Sequence, residues 1–113
     1  MDKSRVALGR WGEELVARSY EAAGYKVLDR NWKIKGGELD LVLGRRGETV
    51  FCEVKTRSSD RFGSAVEAVG PRKQQLLRRT ALSWLQQHGS GGRMRFDVAS
   101  VVAGRVDIIT SAF

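Results

Sequence analysis

Two short apolar strands and the turn between them constrain this chain more than anything else in it. Glu38–Leu43 and Thr49–Thr56 both read as strands, with Arg45-Arg46-Gly47-Glu48 between them. Side chains alternate along a strand, so a one-residue slip in pairing inverts a whole face. With Val42 opposite Phe51, one face carries Leu39, Leu41 and Leu43 against Val54, Cys52 and Val50, an unbroken apolar surface. The connection is then a four-residue loop, Arg45–Glu48, an ordinary hairpin length. A slip by one sets Asp40 opposite Cys52 and mixes both faces. The preferred pairing places Asp40 opposite Glu53 and Glu38 opposite Lys55 on the second face.

That second face is electrostatically costly. Like charges directly opposite one another destabilise a sheet, more so when partly buried. A divalent cation between Asp40 and Glu53 removes the conflict. Two carboxylates supplemented by waters and a substrate phosphate are what Mg²⁺ accepts, and Mn²⁺ is the alternative. Lys55 lies two residues beyond Glu53, ~7 Å along the same face. There it would hold a water or neutralise charge building up on a phosphate. A competing reading pairs Lys55 with Glu38 and Glu53, all solvated on an open sheet face.

The rest of the chain frames the hairpin. A helix is expected from about Ser4 to Ala23, with Leu8, Trp11, Leu15 and Ser19 at helical spacing and Val16 and Tyr20 widening the stripe. Gly9 and Gly12 weaken its first turns and predict a later start, and Gly24 stops it. Tyr25–Trp32 reads as a strand, set off by Gly36-Gly37. A second helix opens at Pro71 and runs to about Gln87, with Leu77, Thr80, Ala81 and Trp84 inward and Gly89 after its end. Arg95–Val102 and Arg105–Thr110 are strands around Ala103-Gly104, and Ser90-Gly91-Gly92 is a loop. The order α-β-β-β-α-β-β predicts an α/β fold, a mixed sheet flanked by helices.

At 113 residues the chain is expected to be one domain, 1–113. It has 20 Lys+Arg against 13 Asp+Glu, a net +7, and a field of that sign attracts polyanions. Cys52 is the only cysteine, which excludes an internal disulfide and fits a cytoplasmic protein. No apolar stretch reaches membrane-spanning length, and Met1-Asp2-Lys3-Ser4 leads into a polar segment instead of a signal core.

Asp40 and Glu53-Val54-Lys55 resemble the motif of the PD-(D/E)XK nuclease superfamily, although Leu39 stands where that motif has a proline-like position. A closer resemblance covers nearly the whole chain. Gly12-Glu13, Arg30-Asn31-Trp32, Gly37–Leu41, Phe51–Arg57, the Lys73 helix and Arg95-Phe96-Asp97 are similar to the YraN family of bacterial proteins. That family resembles archaeal Holliday-junction resolvases in fold. The resemblance implies a restriction-endonuclease-like α-β-β-β-α-β core. It implies that Asp40, Glu53 and the Val54 carbonyl ligate Mg²⁺, with Lys55 catalytic. Glu13 matches the first-helix glutamate that completes such sites; Glu14 could equally fill it, and either could simply complement the helix dipole. Glu38, beside Asp40, would act from just outside the metal shell.

Lys73 sits on the stripe facing the sheet. There it either reaches solvent along its stem or offers its ammonium to the scissile phosphate. Arg57 and Arg72, with Arg78 and Arg79, would position DNA phosphates without reading sequence; Arg78 and Arg79 also suit a merely solvated helix face. Trp11, Trp32 and Trp84 read as core or near-core, and His88 has no partner at metal-ligand spacing. The expected activity is Mg²⁺-dependent endonucleolytic hydrolysis of DNA, on branched or repair intermediates. The alternative is a non-catalytic nucleic-acid-binding or protein-interaction module of the same fold. Symmetric cutting of a four-way junction needs two sites, hence a homodimer.

Overall fold

The computed structural model describes residues 3–59, 64–89 and 92–113, so Ser90 and Gly91 of the expected loop lie outside the described residues. The element order is α1 (Lys3–Ala22), β1 (Lys26–Ile34), β2 (Gly37–Arg45), β3 (Glu48–Arg57), α2 (Pro71–His88), β4 (Arg93–Val102) and β5 (Arg105–Ile109). The strands form one sheet in the order β1-β2-β3-β4-β5. β3 and β4 are parallel, joined through α2, and every other pair is antiparallel. This is the restriction-endonuclease-like α-β-β-β-α-β core with a mixed sheet between two helices, and β3 is its central strand. No helix among the described residues is long and apolar enough to cross a membrane.

Each sheet face is sealed by one helix. Val16, Ala17 and Tyr20 of α1 pack on Leu41, Leu43, Val50, Cys52, Ala99 and Val101. Leu77, Ala81 and Trp84 of α2 pack on Val42, Phe51, Phe96 and Val98, with Leu39 and Val69 beside them. The inner face of α2 is the expected one, and Gly89 ends it at φ 64°, its N–H donating to Leu85 O at 2.9 Å.

The α1 stripe is rotated from expectation. Leu8 and Trp11 are 40% and 48% exposed, and the buried line is Val16, Ala17 and Tyr20. The first turns of α1 extend past the main core, where Trp11 lies against Gly104 of the β4–β5 turn. The helix also starts at Lys3, not later, and Gly12 is used for contact: a Cβ there would collide with Thr56 of β3. Losing helix propensity at Gly12 lets α1 approach the central strand next to the candidate site.

The β2–β3 ladder has the expected register, with Val42 opposite Phe51, Leu43 opposite Val50 and Leu41 opposite Cys52. The turn is tighter than expected. Arg45 pairs with Glu48, leaving only Arg46 and Gly47, both at positive φ (49° and 76°), as a two-residue I′-type hairpin turn requires. The apolar face is also not continuous. Leu39 packs with the α2 cluster, while Leu41 and Leu43 face α1. Paired hydrogen bonding stops at Leu41–Cys52, and the strand alternation is broken at Asp40.

Candidate metal and phosphate site

Where the β2–β3 ladder ends, a side chain takes over from the backbone. The Val54 N–H donates to Asp40 Oδ2 at 2.8 Å. This bond holds the Asp40 carboxyl beside Glu53, across the point where the strands part. Burial, and then the adjacent Glu53 carboxyl, push Asp40 from an ordinary 3.8 up to about 9, against the opposing pull of the Val54 N–H. Asp40 and Glu53 are thus neighbours, but not the facing ladder pair expected, because the paired register ends at Leu41–Cys52 and Asp40 bonds the Val54 N–H instead.

Glu53 is buried, 7% exposed, on the central strand. Its Oε2 is out of solvent and accepts no hydrogen bond from a described residue. Lys73 Nζ of α2 stands 3.4 Å away, inside ion-pair range but not aligned as a hydrogen bond. A cavity of about 10 Å³ lies between Asp40, Glu53, Leu77 and Phe96, room for at most one water. Lys55 is half-buried and takes part in no ion pair with a described residue. The competing reading of the sequence, Lys55 balanced by Glu38 and Glu53, is not the arrangement found; Lys73 supplies the counter-charge. Glu38 is exposed, close enough to act electrostatically on Glu13.

The choice between Glu13 and Glu14 falls to geometry. Glu14 turns outward, paired with Arg18 at 3.2 Å and with Arg30 at 2.8 Å. Glu13 accepts from Asn31 Nδ2 at 3.1 Å and is raised above its ordinary value by burial, with Glu38 and Glu53 adding to the rise. Glu13 thus shares the electrostatic field of the carboxylate pair. Among the described residues no three acidic, histidine or cysteine side chains form a cluster that could hold a metal ion.

Asn31 belongs to a motif that carries the sequence resemblance, but the sequence assigned it no role. It holds Glu13 from β1 and adopts φ 48°, a conformation that asparagine tolerates better than most residues. An asparagine inside a strand between Arg30 and Trp32 was the available signal.

Two grooves adjoin the carboxylates. One, of about 560 Å³, runs between the start of α1 and the end of β3 and is lined by Gly9, Glu13, Val54, Lys55, Thr56 and Arg57, among others. Nε and Nη2 of Arg57 are out of solvent and without a hydrogen-bond partner among the described residues. The other, of about 570 Å³, lies at the start of α2 and includes Pro71, Arg72, Lys73 and Arg79. Arg78 is elsewhere, its guanidinium over the Phe96 and Phe113 rings. His88 stacks on Trp84 and lies 3.7 Å from Asp29, remote from the carboxylates.

Asp97, part of the sequence resemblance, is structural. It is fully buried and accepts from Tyr20 Oη at 2.6 Å, from Arg95 Nε and Nη2 at 2.8 Å each, and from the Ser111 N–H at 3.0 Å. A carboxylate so completely satisfied ties α1, β4 and the C-terminal turn together.

The comparisons with known proteins agree with this picture. The model of a family described as "Uncharacterised protein family UPF0102" matches residues 12–101. A UPF0102 protein of Frankia alni is 52% identical over 100 residues, covering 88% of this chain and 83% of its own. A UPF0102 protein of Streptomyces griseus is 46% identical over 104 residues, covering 90% and 87%. One from Mycolicibacterium vanbaalenii is 44% identical over 104 residues, covering 91% and 86%. The matched segment runs from Gly12, at the α1–β3 contact, to Val101 in β4, and so contains the carboxylate pair, both lysines and Asp97. The chain belongs to the UPF0102 (YraN) family, within the restriction-endonuclease-like superfamily.

Proposed function

We propose that this protein is a divalent-metal-dependent phosphodiesterase acting endonucleolytically on DNA, with Asp40 and Glu53 as metal ligands and Lys55 as the catalytic lysine. The observation that carries the reading is Glu53 Oε2, a buried carboxylate oxygen with no hydrogen bond among the described residues, beside the Asp40 carboxyl whose pKa is pushed up by burial and by Glu53. Both defects disappear if a cation binds between them. The donor set is all oxygen, two carboxylates and the Val54 carbonyl, which fits Mg²⁺ or Mn²⁺ with the remaining positions open to water and phosphate. A cation bound there supplies Lewis-acid stabilisation of charge developing on the phosphoryl oxygens.

The chain's own residues do the rest. Val54 N–H fixes the Asp40 carboxylate in position. Lys55, free of any ion pair with a described residue, has its ammonium available to the attacking water or the non-bridging oxygens. Glu13, held by Asn31, completes the acidic rim and would reach the cation through water. Glu38 adds negative field at that rim. Arg57, Arg72 and Lys73 line the two grooves and bind backbone phosphates, with the net +7 drawing DNA in. Such contacts read no sequence, which favours recognition by shape, as on branched or repair intermediates. Cutting a junction on both strands uses two such sites, hence a homodimer.

The test is a cleavage panel of duplex, single strand, flap and four-way junction, each with Mg²⁺, Mn²⁺ and chelator. Metal-dependent nicking that disappears in Lys55→Ala is the expected result. Intact substrates across the whole panel would leave a non-catalytic DNA-binding module instead.

A further inference from the structure

We propose that Lys73 is an exchangeable internal counter-ion: its ammonium covers the metal-binding oxygen of Glu53 and must leave when a divalent cation enters. The proposal rests on the metal reading of the carboxylate pair and adds how that site is kept closed.

Four observations converge on it. Lys73 Nζ is 3.4 Å from Glu53 Oε2, an atom that solvent does not reach. The space on the core side of the carboxylates, lined by Leu77 and Phe96 among others, is about 10 Å³, far too small for a hydrated ion, so Glu53 cannot gain a cation from that side. Lys73 is also in the wrong place for helix stability. It lies in the first turn of α2, where a positive charge opposes the helix dipole. That turn contains no acidic residue, and Gly70 caps it without a side-chain hydrogen bond, so nothing local offsets the lysine. Glu53 is what holds it there. Finally, the Lys73 side chain is 41% exposed and lines the groove that includes Arg72 and Arg79, which gives the displaced ammonium somewhere to go.

The consequence is coupling. Metal at Glu53 releases Lys73 into the groove where a phosphate would lie, and a phosphate in that groove draws Lys73 away from Glu53. Each ligand then favours the other, and by linkage the coupling is reciprocal. An ion pair that stays formed when metal binds would show no such coupling to phosphate.

The experiment is calorimetric titration with Mn²⁺ alone, without nucleic acid, on wild type, Lys73→Met, Lys73→Arg and Arg72→Gln. Lys73→Met should bind Mn²⁺ roughly fivefold more tightly or better, and Lys73→Arg should stay close to wild type. Arg72→Gln removes a positive charge one residue away from Lys73 and should change the affinity much less. Equal or weaker Mn²⁺ binding by Lys73→Met, with wild type binding normally, overturns the counter-ion and leaves the metal site standing. An equal gain from Arg72→Gln also overturns it, because the effect is then the general field. Failure of both wild type and Lys73→Met to bind Mn²⁺ removes the metal site itself, and the counter-ion with it. Lys73→Gln serves as the second variant if methionine disturbs folding, with helical circular dichroism as the check.

Discussion

Lys73 Nζ lies 3.4 Å from Glu53 Oε2, so the counter-charge on the buried glutamate comes from the first turn of α2 and not from Lys55 on the same strand. This one relationship separates two carboxylates that look equivalent in the sequence. Glu53 has an ammonium beside it; Asp40 has a backbone N–H, and burial beside Glu53 pushes its pKa up.

The two neutralising substitutions should therefore differ. Asp40→Asn keeps an acceptor for the Val54 N–H and removes a strained titration, so it should stabilise the metal-free protein by roughly 0.5–2 kcal/mol at pH 8. Glu53→Gln removes repulsion and the Lys73 ion pair together, and should fall within about 0.5 kcal/mol of wild type. Denaturant titrations in chelator measure both. A destabilised Asp40→Asn protein would count against a strained pair.

The sign of the pH dependence follows from Asp40. In the unfolded chain its carboxyl ionises near an ordinary 3.8, while in the folded protein it holds its proton to about 9. Its contribution to stability is thus fully present below pH ~4 and is lost progressively as pH rises toward ~9. The gain from Asp40→Asn should be near zero at pH 4 and grow steadily to pH 9. Mn²⁺ should reverse the loss in wild type only, by about 2.7 kcal/mol at a hundredfold excess over its dissociation constant. Thermal melts across that pH range, with and without metal, test the pattern; a gain independent of pH would contradict it.

Catalysis and metal binding should separate at Lys55. Asp40→Ala and Glu53→Ala should lose both Mn²⁺ binding and nicking. Lys55→Ala should still bind Mn²⁺ and lose about 10²–10³-fold in cleavage rate, the range for one electrostatic donor at a reacting centre. Single-turnover nicking beside calorimetry distinguishes the two classes, and a fully active Lys55→Ala enzyme would remove the lysine from the mechanism.

DNA binding should be salt-steep and insensitive to sequence. The slope of log K against log salt is expected at about −0.9 per phosphate neutralised, and replacing Arg72 should reduce its magnitude by about one phosphate's share. Fluorescence anisotropy on unrelated duplexes in chelator measures this. Affinity unmoved by salt would mean that the net +7 serves some other end.

Gly12→Ala should have the reverse of its usual sign. In an exposed helix that substitution gains about 1 kcal/mol. Here the new methyl would meet Thr56, and turning the hydroxyl aside removes only the closest contact, because the Thr56 Cβ and Cγ2 are each 3.0 Å away. A loss of about 1–3 kcal/mol is expected from the overpacking, read from urea midpoints. A stabilised variant would show that α1 can lift away from β3 freely.

The sequence by itself determined the pairing of β2 with β3, the pair Asp40 and Glu53 with Lys55 beyond it, and the inner face of α2. These depend on alternation along a strand or recurrence along a helix, properties a segment carries wherever it is placed. Only the tertiary structure decided that Lys73 meets Glu53, that Asn31 selects Glu13 while Arg18 and Arg30 take Glu14, and that Leu39 turns to the α2 side. It also decided that Asp97 is consumed by Tyr20, 77 residues away in the chain. The physical reason is common to all of these. Charge pairing and burial depend on the distance between elements remote in sequence, and no periodicity within either element encodes that distance.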